Sequence, residues 1–190
     1  MKREILAEKQ RRVLAQMKEL FESLEMETEY SPVSDNGIAD IVIAEHREVG
    51  QNGDEVLGEY YFLPDQAPDL ELSSFMISQT ILDDMKETQA EDVIRAVSRL
   101  NLFVPIGNFL VDERNGIISY HHAVLLKAET PEDQMYEMAR YSVAVSVEIV
   151  HRWMDPLMSL AYGNMELKDF LEILNTPAAE FAGKDDSENR

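Results

Sequence analysis

The chain reads as an α+β protein: an antiparallel sheet of about five strands in the order α-βββ-α-ββ-α, helices packed on the sheet, and a short extra C-terminal helix. Three observations lead there. The first twenty-odd residues carry apolar side chains at helical spacing, two blocks of β-branched and aromatic residues each contain a hairpin signal, and a long capped helical segment comes after the second block.

In the first segment Val13, Met17, Leu20, Phe21 and Leu24 recur every three or four residues, which lays them along one face of a helix over about residues 2–27. Tyr30-Ser31-Pro32 and Ser34-Asp35-Asn36-Gly37 then break the period, because Pro lacks the backbone donor and Asn-Gly favours a turn. Ile38 to His46 and Val56 to Leu63 read as strands around the hairpin turn Gln51-Asn52-Gly53-Asp54. A third strand, Leu70 to Leu82, comes after a turn at Pro64 to Pro68.

Helical spacing returns from Lys86 to Phe103, with Ala90, Val93, Ile94, Val97, Leu100 and Leu102 on the apolar side and Arg95 and Arg99 facing out. Phe109 to Asp112 and Ile117 to Ala128 flank the turn Asp112-Glu113-Arg114-Asn115-Gly116, a second hairpin. Thr130-Pro131-Glu132-Asp133 reads as a helix start, with Thr130 at the N-cap and Pro131 in the first helical position. Val143, Val145, Val147 and Ile149 alternate like a strand. The capped start and the length of the stripe Met135, Ala139, Val143, Val147, Val150, Met154 favour helix. Pro156 kinks or ends it, Gly163-Asn164 stops any helix beyond that point, and Glu166 to Leu174 forms the short last helix. Residues 1–176 are expected to form a single domain. The acidic tail 177–190 has too few apolar groups to fold and is expected to be disordered.

The order of these elements, with Glu91-Asp92-Val93-Ile94-Arg95-Ala96-Val97-Ser98-Arg99-Leu100-Asn101, then Gly107-Asn108-Phe109-Leu110-Val111-Asp112 and Ile117-Ile118-Ser119-Tyr120, resembles the YbjN-like family. The resemblance covers about residues 5–160 and implies the type III secretion chaperone-like fold. Chaperones of that fold are small, acidic, usually dimeric and non-enzymatic, and bind an extended client segment. This chain differs in its length, its basic first helix and its polar tail.

The 190 residues carry 17 basic and 37 acidic side chains, a formal charge of −20. The first twenty hold six bases against three acids, so residues 21–190 carry −23. Such a charge repels nucleic-acid phosphate and anionic lipid, and the basic stretch reads as a solvated helix face held by its apolar stripe. No uninterrupted apolar run approaches membrane-spanning length, and Met1-Lys2-Arg3-Glu4 opens a charged segment unlike a signal peptide, so a cytoplasmic location is expected.

With no cysteine, thiol nucleophiles, disulfides and Cys-ligated metals are excluded. His121 and His122 are neighbours in a strand and point to opposite faces, and no HExxH, EF-hand, G-x-S-x-G or phosphate-loop pattern occurs, so neither cofactor nor metal is expected. Tyr136, Met138, Tyr141, Val145 and Trp153 widen the apolar face of the long helix beyond what one sheet covers. The expected function is therefore a non-catalytic protein-interaction module, chaperone-like or regulatory. It would bind a partner segment or a second copy through Tyr141, Val145, Trp153, Met154, Met158 and Tyr162. The alternative is a small-ligand enzyme or sensor using carboxylates with His121 or His122 in a pocket of the sheet.

Overall fold

A computed structural model describes residues 2–63 and 72–176. The turn at Pro64 to Pro68 and the tail 177–190 lie outside the described residues. Helix α1 (Lys2–Ser23) leads into β1 (Thr28–Ser31), a short α2 (Val33–Asn36) and the meander β2 (Ile41–Val49), β3 (Asp54–Phe62) and β4 (Leu72–Leu82). A 3₁₀ turn (Glu87–Gln89) precedes α3 (Ala90–Leu100), then come β5 (Asn108–Asp112), β6 (Ile117–Lys127), the long α4 (Glu132–Ala161) and α5 (Leu167–Asn175). The strands form one antiparallel sheet ordered β1-β2-β3-β4-β6-β5.

The fold class and the order of the five expected strands are as the sequence predicts, and β1 is an addition. Its Glu29 and Tyr30 pair with Ile43 and Val42, yet the strand is only four residues long and stops at Pro32, too short for alternation to declare it. Three boundary expectations need correction. Helix α1 ends at Ser23, so Leu24 is exposed, and Leu14 takes its place in the buried stripe with Val13, Met17 and Phe21. Pro131 is the N-cap of α4, with its carbonyl accepting the first helical bond from Met135, and Thr130 lies outside the helix. Ile94 and Leu102 are exposed, while Ala96 is buried in α3.

Along each strand, alternate residues face the helices. Val42, Ala44, Tyr60, Phe62, Phe75, Ile77 and Leu126 pack with α1 and with Met135, Ala139 and Val143 of α4. Val49, Val56, Phe109, Ile118 and Tyr120 pack with α3, α5 and the later turns of α4, from Val150 to Ala161. At 30 residues, roughly 45 Å, α4 is long enough to serve both clusters. It runs through Pro156 because Leu157, Leu160 and Ala161 are anchored in the second cluster. Its end is closed by Gly163 at φ 73°, with Asn164 N–H on the Ser159 carbonyl and Gly163 N–H on that of Leu160.

Between the two clusters lies a buried polar seam. The Gln79 amide donates to the Tyr60 hydroxyl, which donates to Nε2 of His46. Ser146 Oγ donates to the Ser142 carbonyl at 2.8 Å, so the 3.2 Å contact with His122 Nδ1 is donated by the imidazole. Tyr60 fits because Gly58, two residues before it on the same face, has no side chain: a Cβ there would collide with the Tyr60 ring and hydroxyl. We therefore predict that Gly58→Ala lowers unfolding free energy by about 1–3 kcal/mol, the usual cost of overpacking, in a urea titration.

Candidate functional site

Helices α1, α3 and α4 pack on one face of the sheet, with α5 against α3 and α4, and among the described residues no element forms a layer on the other face. The strand register lays out that face in rows. One row runs Glu29, Ile43, Glu59, Ser78, His121, Asn108. On one side of it lie Ile41, Tyr61, Met76 and Ala123, and beyond them Ser74 opposite Leu125. On its other side lie Glu45, Leu57, Thr80, Ser119 and Leu110. Leu125 is 65% exposed and Leu57 46%, and Leu110 and Ala123 are also exposed. The face thus carries one apolar row, Tyr61, Met76 and Ala123 with Leu125 beyond it, and two mixed rows in which Leu57 and Leu110 stand apart, separated by Thr80 and Ser119. Glu29, Glu45 and Glu59 sit toward its β1–β3 half, with Glu45 paired to Arg47 at 2.9 Å, and Asp112 lies at its β5 edge.

His121 lies on β6, between Ser78 and Asn108 of the first row. Its Nε2 is 3.3 Å from Ser78 Oγ and 3.2 Å from Ser119 Oγ, and burial pushes its pKa down while the nearby Glu59 carboxylate pushes it up. The imidazole is shared between two hydroxyls. His122, as its neighbour in a strand, points the other way, into the seam under α4. Among the described residues no three His, Asp or Glu side chains are grouped so as to hold a metal ion.

The remaining histidines serve the fold. His151 Nδ1 accepts the Gly50 N–H at 3.0 Å, and Asp155, one helical turn on, accepts from Gln51 N–H at 2.6 Å and from the Asn52 side chain at 2.5 Å. Together they clamp the β2–β3 turn to α4. His46 is 9% exposed, and burial lowers its pKa to about 4.

The six partner-contact residues expected from sequence separate into two groups. Tyr141, at 61% exposure, and Val145 lie on the outer side of α4 with Met138, and Arg140 stacks over the Tyr141 ring. Met154 is 1% exposed, inside the second apolar cluster, and cannot be a surface contact. Trp153, Met158 and Tyr162 are half-buried against that cluster; Trp153 meets Phe170 of α5 with ring centroids 6.2 Å apart, and the Tyr162 hydroxyl donates to Asp84. The short last helix covers this half of α4. The open face was missed because strand runs were recognised without assigning faces. The signal was there in β3, where Leu57, Glu59 and Tyr61 alternate with Val56, Gly58, Tyr60 and Phe62.

Among the described side chains, bases of α1 are engaged by the protein itself. Lys9 donates to the carbonyls of Ala128 and Thr130, Arg11 pairs with Asp40 at 3.0 Å and Arg12 with Glu132 at 2.7 Å. No described helix is long and apolar enough to cross a membrane. No family model matches the chain, and no curated protein shows significant similarity to it.

Because His46 is held neutral in the fold while an unfolded histidine titrates near 6.5, its contribution is complete above that pH. It is lost as pH falls toward about 4. The full difference corresponds to about 3 kcal/mol. Denaturation titrations between neutral pH and pH about 4 should give a shallower loss of stability for His46→Gln than for the wild type. Parallel curves would contradict a buried neutral imidazole.

Proposed function

We propose that this chain is a non-catalytic protein-interaction module, a YbjN-like protein of the type III secretion chaperone-like fold, that binds a partner protein segment on the open face of its sheet. The observation that carries the reading is the apolar row Tyr61, Met76, Ala123 and Leu125 on this face, with Leu125 65% exposed, together with the separate exposed Leu57 and Leu110 and the carboxylates Glu29, Glu45 and Glu59. Exposed apolar patches of this kind favour association, and the carboxylates select its partner. A segment that is both apolar and basic fits. A second copy meeting this face would set glutamates against glutamates in a chain that already carries −20. The strand-helix order on which the family resemblance rests, three meander strands, a helix, a hairpin and a long helix, supports the same reading. A cytoplasmic location belongs to the proposal, in keeping with the acidic, cysteine-free composition.

A fluorescent peptide of alternating leucine and lysine is a suitable probe, titrated against the full chain. It should bind and release with added salt, while the leucine–glutamate counterpart should not bind. Leu125→Asp and Leu57→Asp, both at exposed positions, should weaken binding by about tenfold or more, and Tyr141→Asp on the far side of α4 should leave it unchanged. Equal affinity in all three variants, or a loss confined to Tyr141→Asp, would remove the open face as the binding site.

A further inference from the structure

Strand β5 is the last strand on its side of the sheet, and among the described residues no strand lies beside its other edge. In an antiparallel pair, alternate residues turn their N–H and C=O away from the neighbouring strand. In β5 those residues are Phe109 and Val111, as the bonding of Phe109 shows: its N–H donates to Asn101 Oδ1 at 2.8 Å and its C=O accepts from Asn101 Nδ2 at 2.9 Å. A carboxamide presents a donor and an acceptor side by side, as a backbone residue does. Asn101 therefore stands where a residue of an added strand would pair.

The surroundings make that placement consequential. Leu102 is 71% exposed and Phe103 55%, and Ile106 and Leu110 are exposed as well. An open edge flanked by apolar side chains pairs with other chains unless something blocks it. Residues 91–114 hold Arg95, Arg99 and Arg114 against Glu91, Asp92, Asp112 and Glu113, a charge of −1 within a chain of −20, with Arg95 paired to Glu91 and Asp92, so two copies meet less repulsion here than over the rest of the surface. The strand is also compatible with itself. Antiparallel pairing centred on Leu110 sets Phe109 opposite Val111 of the other copy, joining the two outward-facing residues, and Asn108 opposite Asp112, with no like charges in register.

We infer that Asn101 is an edge guard: its carboxamide closes the β5 edge against strand addition by a second copy of this chain. Asn101 caps the C-terminal end of α3, where its backbone N–H bonds to Val97, so the helix positions the side chain and holds it over Phe109. Aspartate cannot replace it, because a carboxylate accepts but does not donate. The inference is independent of the proposed function, which concerns the face of the sheet and not its edge.

The test is sedimentation equilibrium of the full chain. Asn101→Ala, folded by circular dichroism, should self-associate at least about tenfold more tightly than wild type. Adding Val111→Pro to it should return the association to the wild-type level, since proline is tolerated where the lost N–H faces away from the sheet. Asn101→Ala associating no more than wild type, association that survives Val111→Pro, or a wild-type dimer that Val111→Pro dissolves would each overturn the inference. Amide hydrogen exchange of the wild type tests it without a variant. The Phe109 amide should be protected like those of Asn108 and Leu110, and rapid exchange there would count as failure.

Discussion

The structure depends on the burial of only one side of its sheet. A six-stranded antiparallel sheet needs an apolar layer against at least one face, and here α1, α3 and α4 supply that layer while α5 seals α3 to α4. The burden falls mainly on α4, because α1 reaches the first apolar cluster and α3 the second, and α4 enters both. Met135, Ala139 and Val143 belong to one, Val150, Met154 and Leu157 to the other, and Ser146 meets the polar seam between them. That seam costs desolvation, so its groups must pair, and the chain from Gln79 through Tyr60 to His46 pairs all but the Gln79 carbonyl oxygen.

One-sided burial also shapes how charge is used. The sequence splits into a basic beginning and an acidic remainder, and the structure brings parts of the two together. Val13, Leu14, Met17 and Phe21 seat α1, and Lys9, Arg11 and Arg12 tie its polar side to the β6–α4 loop, Asp40 and Glu132. These exposed pairs contribute little stability each, so the apolar seam holds the helix and the ion pairs orient it. Because these bases find partners at home, the acid surplus is left to the rest of the surface, including the open face. That distribution is the one the proposed basic, apolar partner would meet.

Much of this was legible in advance. The hairpin at Asn52-Gly53, the hairpin from Asp112 to Gly116 and the existence of the long helix come from local chemistry that tertiary structure has little power to alter, whereas its unbroken run past Pro156 to Ala161 was left open by the sequence. Which partner each apolar face would find could not be read. Met154, on the main stripe of the long helix, and Tyr141, outside it, were both candidate contacts, but α3 and α5 close over the later turns of α4 and leave Tyr141 and Val145 outside. Leu102 looked like the end of a buried stripe until the helix stopped at Leu100. The pairing of Asn101 with Phe109, eight positions further along the chain, depends on a loop geometry that no spacing rule describes.

The central claim is that the sheet has a free face in the isolated chain, and hydroxyl-radical footprinting tests it most directly. Leu57, Tyr61 and Leu125 should be oxidised readily while Met17, Met135 and Met154, all fully buried against the opposite face, are spared. Protection of Leu57 and Leu125 to the level of those core methionines would mean that the face is already covered, and it could not then be a partner's seat.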